Sequence, residues 1–209
     1  MGMARRPARK PRDQYHHGDL RAALIHAALR RIQRDGVAGL TLRGVGEDLG
    51  VSRTALYRHF ADKSALLATV AAQGFMTLRA TLVAAWEQAG KGRRGFEAMG
   101  QAYVRFAITN PSYYRVMFGG ALEGLARDPE LEREGAAAFQ VLVDALVEQQ
   151  RARLVRADEP LQLARFIWAI VHGIAMLAID GLLPPDNVAV DSLARFAMER
   201  LRSGIDPGR

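Results

Sequence analysis

Arg53, Thr54, Ala55, Tyr57, His59 and Lys63 gather a guanidinium, a hydroxyl, a methyl, a phenol, an imidazole and an ammonium in one short stretch. An arginine fork pairs bidentately with guanine in the major groove, threonine and alanine methyls can meet a thymine methyl, and tyrosine, histidine and lysine hold phosphates. The chemistry these groups share is recognition of duplex DNA. Reaction chemistry has no such cluster. Gly44, Gly46 and Gly50 miss the GxGxxG fingerprint by one position and follow no strand, and neither a phosphate loop nor HExxH is present. No enzymatic activity, cofactor or metal site is expected.

The stretch TLRGVGEDLGVSRTALYRHFADK, residues 41 to 63, supplies the elements that would hold these groups. Thr41 can cap a helix carrying Leu42, Val45 and Leu49 at helical spacing. Gly50 ends it where the chain needs a positive φ, and Ser52 caps a second helix running from Arg53 to Phe60. At 100° per residue, Leu56 and Phe60 share a core-facing stripe, with Thr54 and Arg58 opposite. Arg53 and Tyr57 form one flank, Ala55 and His59 the other. Two short helices joined by a glycine turn make a helix-turn-helix.

From Leu20 to about Leu67 the chain resembles the N-terminal domain of the tetracycline-repressor-like (TetR) family of bacterial regulators. The resemblance rests on LRAALIHAALRRIQRDG, the Leu40-Thr41 pair, LGVS, LYRHF and Asp62-Lys63. It implies that Arg53, Thr54 and Ala55 approach base edges while Tyr57, His59 and Lys63 grip phosphate. Thr41, Arg43 and the cap Ser52 complete the implied DNA-contacting set. Gly46 replaces the family's usual alanine and Gly44 adds a second glycine to the same helix, so that helix is expected to be loose before DNA binds, at roughly 0.5–1 kcal/mol per glycine.

Charge follows the same division. Residues 1–63 hold 13 Lys+Arg and 6 Asp+Glu, and residues 64–209 hold 16 of each, so the whole net charge of +7 lies in the first segment. A preference of 26 Arg to 3 Lys can reflect base composition, but the asymmetry points to a polyanionic partner. With no cysteine and no apolar leader, the chain is expected in the reducing cytoplasm. Residues 1–17, with Arg5, Arg6, Arg9, Lys10 and Arg12 among Pro7 and Pro11, read as a disordered basic arm. Tyr15, His16, His17 and Gly18 resemble the lead-in of one TetR subgroup rather than a metal site.

Beyond Lys63 every strong segment reads as helix, so the fold class is all-α: a three-helix DNA-binding domain over 18–67 and a larger effector-binding and dimerisation domain over 68–204. Expected helices run from Lys63 to about Ala89, Phe96 to Thr109, Tyr113 to Phe118, Pro129 to about Val155, Pro160 to about Leu183 and Val188 to Arg202. The uncharged run Phe166 to Ile179 is shorter than the roughly 20 residues of a membrane span and is expected to be buried in a core or against another subunit. Trp168, His172 and Gly173, with NPSYYRVMF at 110–118, resemble the Trp-His-Gly subtype of TetR C-terminal domains. That resemblance implies a homodimer through the last two long helices and a small-molecule effector. The candidate pocket residues are Tyr103, Phe106, Met117, Trp168, His172 and Met176. The alternative is a helical interaction module whose basic segment meets an acidic protein or a membrane surface.

Overall fold

The computed structural model describes residues 17–120, 128–184 and 186–205. The basic arm of residues 1–16 lies outside them, and the backbone of His17 is already helical. The described residues form nine α-helices and no strand, in accord with the all-α expectation. These are α1 His17–Gly39, α2 Leu42–Leu49, α3 Arg53–Tyr57, α4 Lys63–Gln88, α5 Gly92–Thr109, α6 Pro111–Phe118, α7 Pro129–Arg151, α8 Pro160–Ile179 and α9 Asn187–Ile205.

Local chemistry sets most of these ends. The Thr41 hydroxyl accepts from the Gly44 N–H at 3.1 Å, Ser52 from Ala55 at 3.2 Å and Asp62 from Ala65 at 2.8 Å, each satisfying a donor that the first helical turn leaves unpaired. Asp128 and Glu159 do the same ahead of Pro129 and Pro160. Gly50 closes α2 at φ 63°. α3 is shorter than the spacing predicts, although Arg58 keeps helical angles and the Phe60 N–H still reaches the Leu56 carbonyl at 3.1 Å. α7 and α8 also stop early, because Arg153 and Gly181 turn at φ 57° and 72°. α5 starts four residues before Phe96, after a tight turn in which Gly90, Lys91 and Gly92 all have positive φ.

The small domain closes around Leu24, Ile25, Ala28, Ile32, Val45, Leu56 and Phe60, all buried. Across it, Arg31 Nε and Nη2 donate to the two Asp48 oxygens at 2.6 and 2.8 Å, locking α1 to α2. That fork ties α2 to α1 despite its two glycines. A Cβ on Gly44 would collide with the Arg31 guanidinium, so this glycine is the gap through which the arginine reaches Asp48. α4 leaves the small domain and runs between α5 and α7, and α6 packs on both α1 and α4.

By length and composition alone, α4 and α8 are each apolar enough to cross a membrane. The length argument drawn from Phe166 to Ile179 is therefore not decisive. Leu66, Leu67, Val70, Leu78 and Leu82 of α4 and Leu163, Ile167, Val171 and Ile174 of α8 are instead buried among the neighbouring helices, which accounts for the same apolarity.

Two glycine replacements separate these roles. Gly44→Ala is expected to gain less stability than alanine normally brings inside a helix, since the methyl must push aside the Arg31 guanidinium and disturb its bonds to Asp48. A Cβ on Gly135, inside α7, meets Phe75 at an ordinary 3.7 Å, so Gly135→Ala should stabilise by about 0.5–1 kcal/mol. Urea unfolding of the two variants checks the difference.

Candidate functional site

The α2–α3 hairpin presents its chemistry on one side because the other side is already committed. Leu56 and Phe60 are buried, while Arg53, Thr54 and Arg58 are exposed and Tyr57 is 45% exposed. The Arg53 guanidinium lies 5.4 Å from the centre of the Tyr57 ring, so the flank predicted from spacing exists and is held by a cation–π contact. Ala55 and His59 are half-buried on the other flank. Thr41 and Ser52 spend an oxygen lone pair on capping but keep their hydroxyl protons free to donate.

Two of the expected phosphate ligands are engaged within the protein. Arg43 pairs with Glu47 at 2.7 Å in an exposed i,i+4 contact, which is weak enough to exchange for a phosphate. Lys63 donates from Nζ to the Ala38 carbonyl at 3.2 Å, tying the start of α4 to the end of α1. Arg58, which the candidate set omitted, is exposed on the side of Thr54. Its spacing of four from Thr54 was the available signal.

The larger domain encloses a cavity of about 380 Å³. Its walls are helical stripes: Phe75, Leu78 and Leu82 of α4, Met99 and Tyr103 of α5, Phe118 of α6, Phe139 and Leu142 of α7, Trp168 and Val171 of α8, and Met198 of α9. Gly100 belongs to the wall because a Cβ there would strike the Met198 sulfur. Of the six candidate pocket residues, Tyr103 and Trp168 line this space. His172 lies behind them, and Phe106, Met117 and Met176 fall outside the lining. Met117 instead fills the space beside Gly74. The lining residues that the sequence reading did not single out, among them Phe75, Leu78, Met99, Phe139, Leu142 and Met198, are apolar types at helical spacing, which carry no signal distinguishing a cavity wall from packed core.

Behind the wall runs a hydrogen-bonded chain. Trp168 Nε1 donates to the Tyr103 hydroxyl at 3.0 Å, the Tyr103 and Tyr114 hydroxyls are 3.0 Å apart, and Tyr114 reaches His172 Nδ1 at 2.7 Å. Burial pushes the Tyr103 phenol up to about 12 and raises Tyr114 further, so both remain protonated. Burial also lowers His172, favouring the neutral ring. A donor relay of Trp168 to Tyr103 to Tyr114 to Nδ1 satisfies every oxygen and assigns the imidazole proton to Nε2. Among the described residues no group of three or more His, Asp and Glu is placed to hold a metal ion.

The family described as bacterial regulatory proteins, tetR family, matches residues 24–70, and the tetracyclin repressor-like C-terminal domain matches residues 96–201, half of the chain. The chain belongs to the TetR family. The uncharacterized HTH-type transcriptional regulator YobS of Bacillus subtilis is 30% identical over 182 residues, covering 87% of this chain and 90% of YobS. The HTH-type transcriptional regulator Rv1816 of Mycobacterium tuberculosis is 25% identical over 113 residues, 53% of this chain. The match spans about half the length of that relative, 48%. A solved protein of unknown function from Rhodococcus sp. RHA1 superposes with a TM-score of 0.83 at 33% identity, covering 93% of this chain and 100% of that one. The helix-turn-helix thus lies on the first matched segment and most of the cavity wall on the second, with Phe75, Leu78 and Leu82 between the two.

The neutral state of His172 has a measurable consequence. Below about pH 6.5, the ordinary imidazole value, the unfolded chain takes up a proton that the folded chain resists. The stability His172 provides is therefore present above that pH and is lost as pH falls towards the lowered folded value. In urea unfolding from about pH 7.5 down to 5.5 the wild type should lose more stability than His172→Gln. Parallel losses would mean that the ring is not held neutral.

Proposed function

We propose that the chain is a ligand-responsive transcriptional regulator that binds a near-palindromic operator as a homodimer, represses by occlusion, and is released when a small, largely apolar effector fills the cavity. The observation that carries this reading is the α3 face: Arg53, Thr54 and Tyr57 stand exposed on a helix whose back, Leu56 and Phe60, is fixed in the core. The concentration of positive charge in residues 1–63 supports a DNA partner in the bacterial cytoplasm. Arg53, Thr54 and Ala55 are assigned to bases, and Thr41, Arg43, Ser52, Tyr57, His59 and Lys63 to the backbone. The DNA-binding unit ends near residue 67, where α4 passes into the regulatory domain.

Dimerisation is assigned to α8 and α9. Phe166, Ile170, Gly173 and Leu177 fall on one stripe of α8, and Phe166 and Leu177 are 54% and 43% exposed. A Cβ on Gly173 would meet open space, so a second helix can approach closely there. Leu193 and Phe196 extend the apolar face on α9, where Arg200 lies over the Phe196 ring. Apolar faces of this kind are costly to leave in water. Two-fold pairing would carry the recognition helices to successive major grooves about 34–36 Å apart.

The Trp168-His172-Gly173 pattern is assigned to the Trp-His-Gly subtype, with Trp168 the effector contact and His172 its support. α6 supplies the coupling: it brings Phe118 to the cavity and Tyr114 to His172, and its other side packs on α1. Filling the cavity would press on the helix that the small domain leans on.

Mobility-shift titration tests the reading residue by residue. Arg53→Ala should cost about 1–3 kcal/mol at the preferred site and relax one base preference. Equal loss on every sequence would remove Arg53 from base reading. Lys63→Ala should weaken specific and non-specific DNA alike and reduce the log–log salt slope by about one. An unchanged slope would leave Lys63 only its bond to Ala38. Phe196→Glu should yield a monomer in sedimentation; a persistent dimer would place the interface elsewhere.

A further inference from the structure

The cavity wall contains one ionic side chain. Arg165 lies one helical turn before Trp168 on α8 and lines the same space. The sequence suggests only that it marks a solvated helix end. By contrast, Arg79 pairs with Glu134 at 3.4 Å, Arg105 with Asp191, and Arg202 with Glu97 at 3.0 Å. Among the described residues no carboxylate neutralises Arg165, which is exposed to solvent at the cavity's edge.

The other polar group of the wall, the Tyr103 hydroxyl, is engaged by Trp168 and Tyr114. An occupant therefore meets aliphatic and aromatic carbon nearly everywhere and, at the rim, one arginine for which the described residues supply no carboxylate. A neutral occupant that covers the rim strips water from Arg165 without replacing it, which is unfavourable for a cation. A cationic occupant adds repulsion. A carboxylate at the rim end removes both penalties, because its two oxygens fit the guanidinium fork. At about 380 Å³ the cavity suits an apolar body at the small end of the drug-sized range.

Resting on the reading of this cavity as the effector site, we infer that the effector is an apolar monocarboxylate whose carbon body fills the space between α4, α7 and α8 and whose carboxylate is held by Arg165. The charge partner is then a residue that selects the ligand and contributes nothing to DNA contact.

Calorimetric titration of the full-length protein with matched probes tests this inference: decanoate against decanol, and 2-naphthoate against 2-naphthylmethanol. The wild type should bind at least one carboxylate about tenfold more tightly than its alcohol. Arg165→Gln should erase that advantage while binding the alcohol at least as tightly as the wild type does, which also shows that the variant is folded. Arg165→Lys should recover only part of it, since an ammonium lacks the fork. Carboxylates binding no better than alcohols, or an advantage that survives Arg165→Gln, would overturn the charge assignment and leave the cavity reading standing. Binding of none of the four probes would overturn the cavity as an effector site together with the inference.

Discussion

Tyr114 has no exposed surface, and an unpaired hydroxyl there would cost about 1–3 kcal/mol, so its partners are obligatory. It finds them on two other helices, Tyr103 of α5 and His172 of α8. Those bonds fix α6 in the middle of the regulatory domain, with Phe118 against the cavity on one side and α1 on the other. Aromatic packing reinforces them: Phe118 meets His172 edge-on at 4.8 Å and Phe139 meets Trp168 at 5.9 Å. A cavity bounded by such a network is held open by its walls, since the polar atoms behind Trp168 cannot collapse inward without losing partners.

The small domain is rigid for a different reason. Its stiffness comes from short polar clamps spread over a modest core. Arg31 grips Asp48 through the gap at Gly44, Lys63 closes α4 onto α1, Asp62 caps α4, and Arg21 lies 5.5 Å over the Phe60 ring while reaching Thr69 at 3.3 Å. The Arg31–Asp48 fork acts on α2, and the other clamps join α1, α4 and Phe60 without engaging Arg53, Thr54 or Ala55. The groups suited to base edges are consequently left unburdened, and orienting them adds little entropy cost on binding.

Much of the scaffold was legible in the sequence because caps and turns are local signals. Thr41 and Ser52 act where their types and positions indicated, and Gly50 has the positive φ that its place required. Long-range relations were hidden. Nothing in the spacing of Gly44 says that an arginine from the preceding helix passes over it. Helical periodicity marks an apolar face but does not say whether that face meets a void or another side chain. That is why Phe106 and Met117 read as pocket residues yet are buried away from the cavity lining, while Leu142 and Met198, which the spacing did not single out, line it.

Selection of bound fragments from a random duplex library, using purified protein and sequencing, bears most directly on whether the α3 face reads DNA. A two-fold symmetric motif with half-sites one helical turn apart, about 10 base pairs, is the expected result. Failure to enrich any motif at low and at moderate salt would contradict a sequence reader and turn the basic segment towards a different acidic partner.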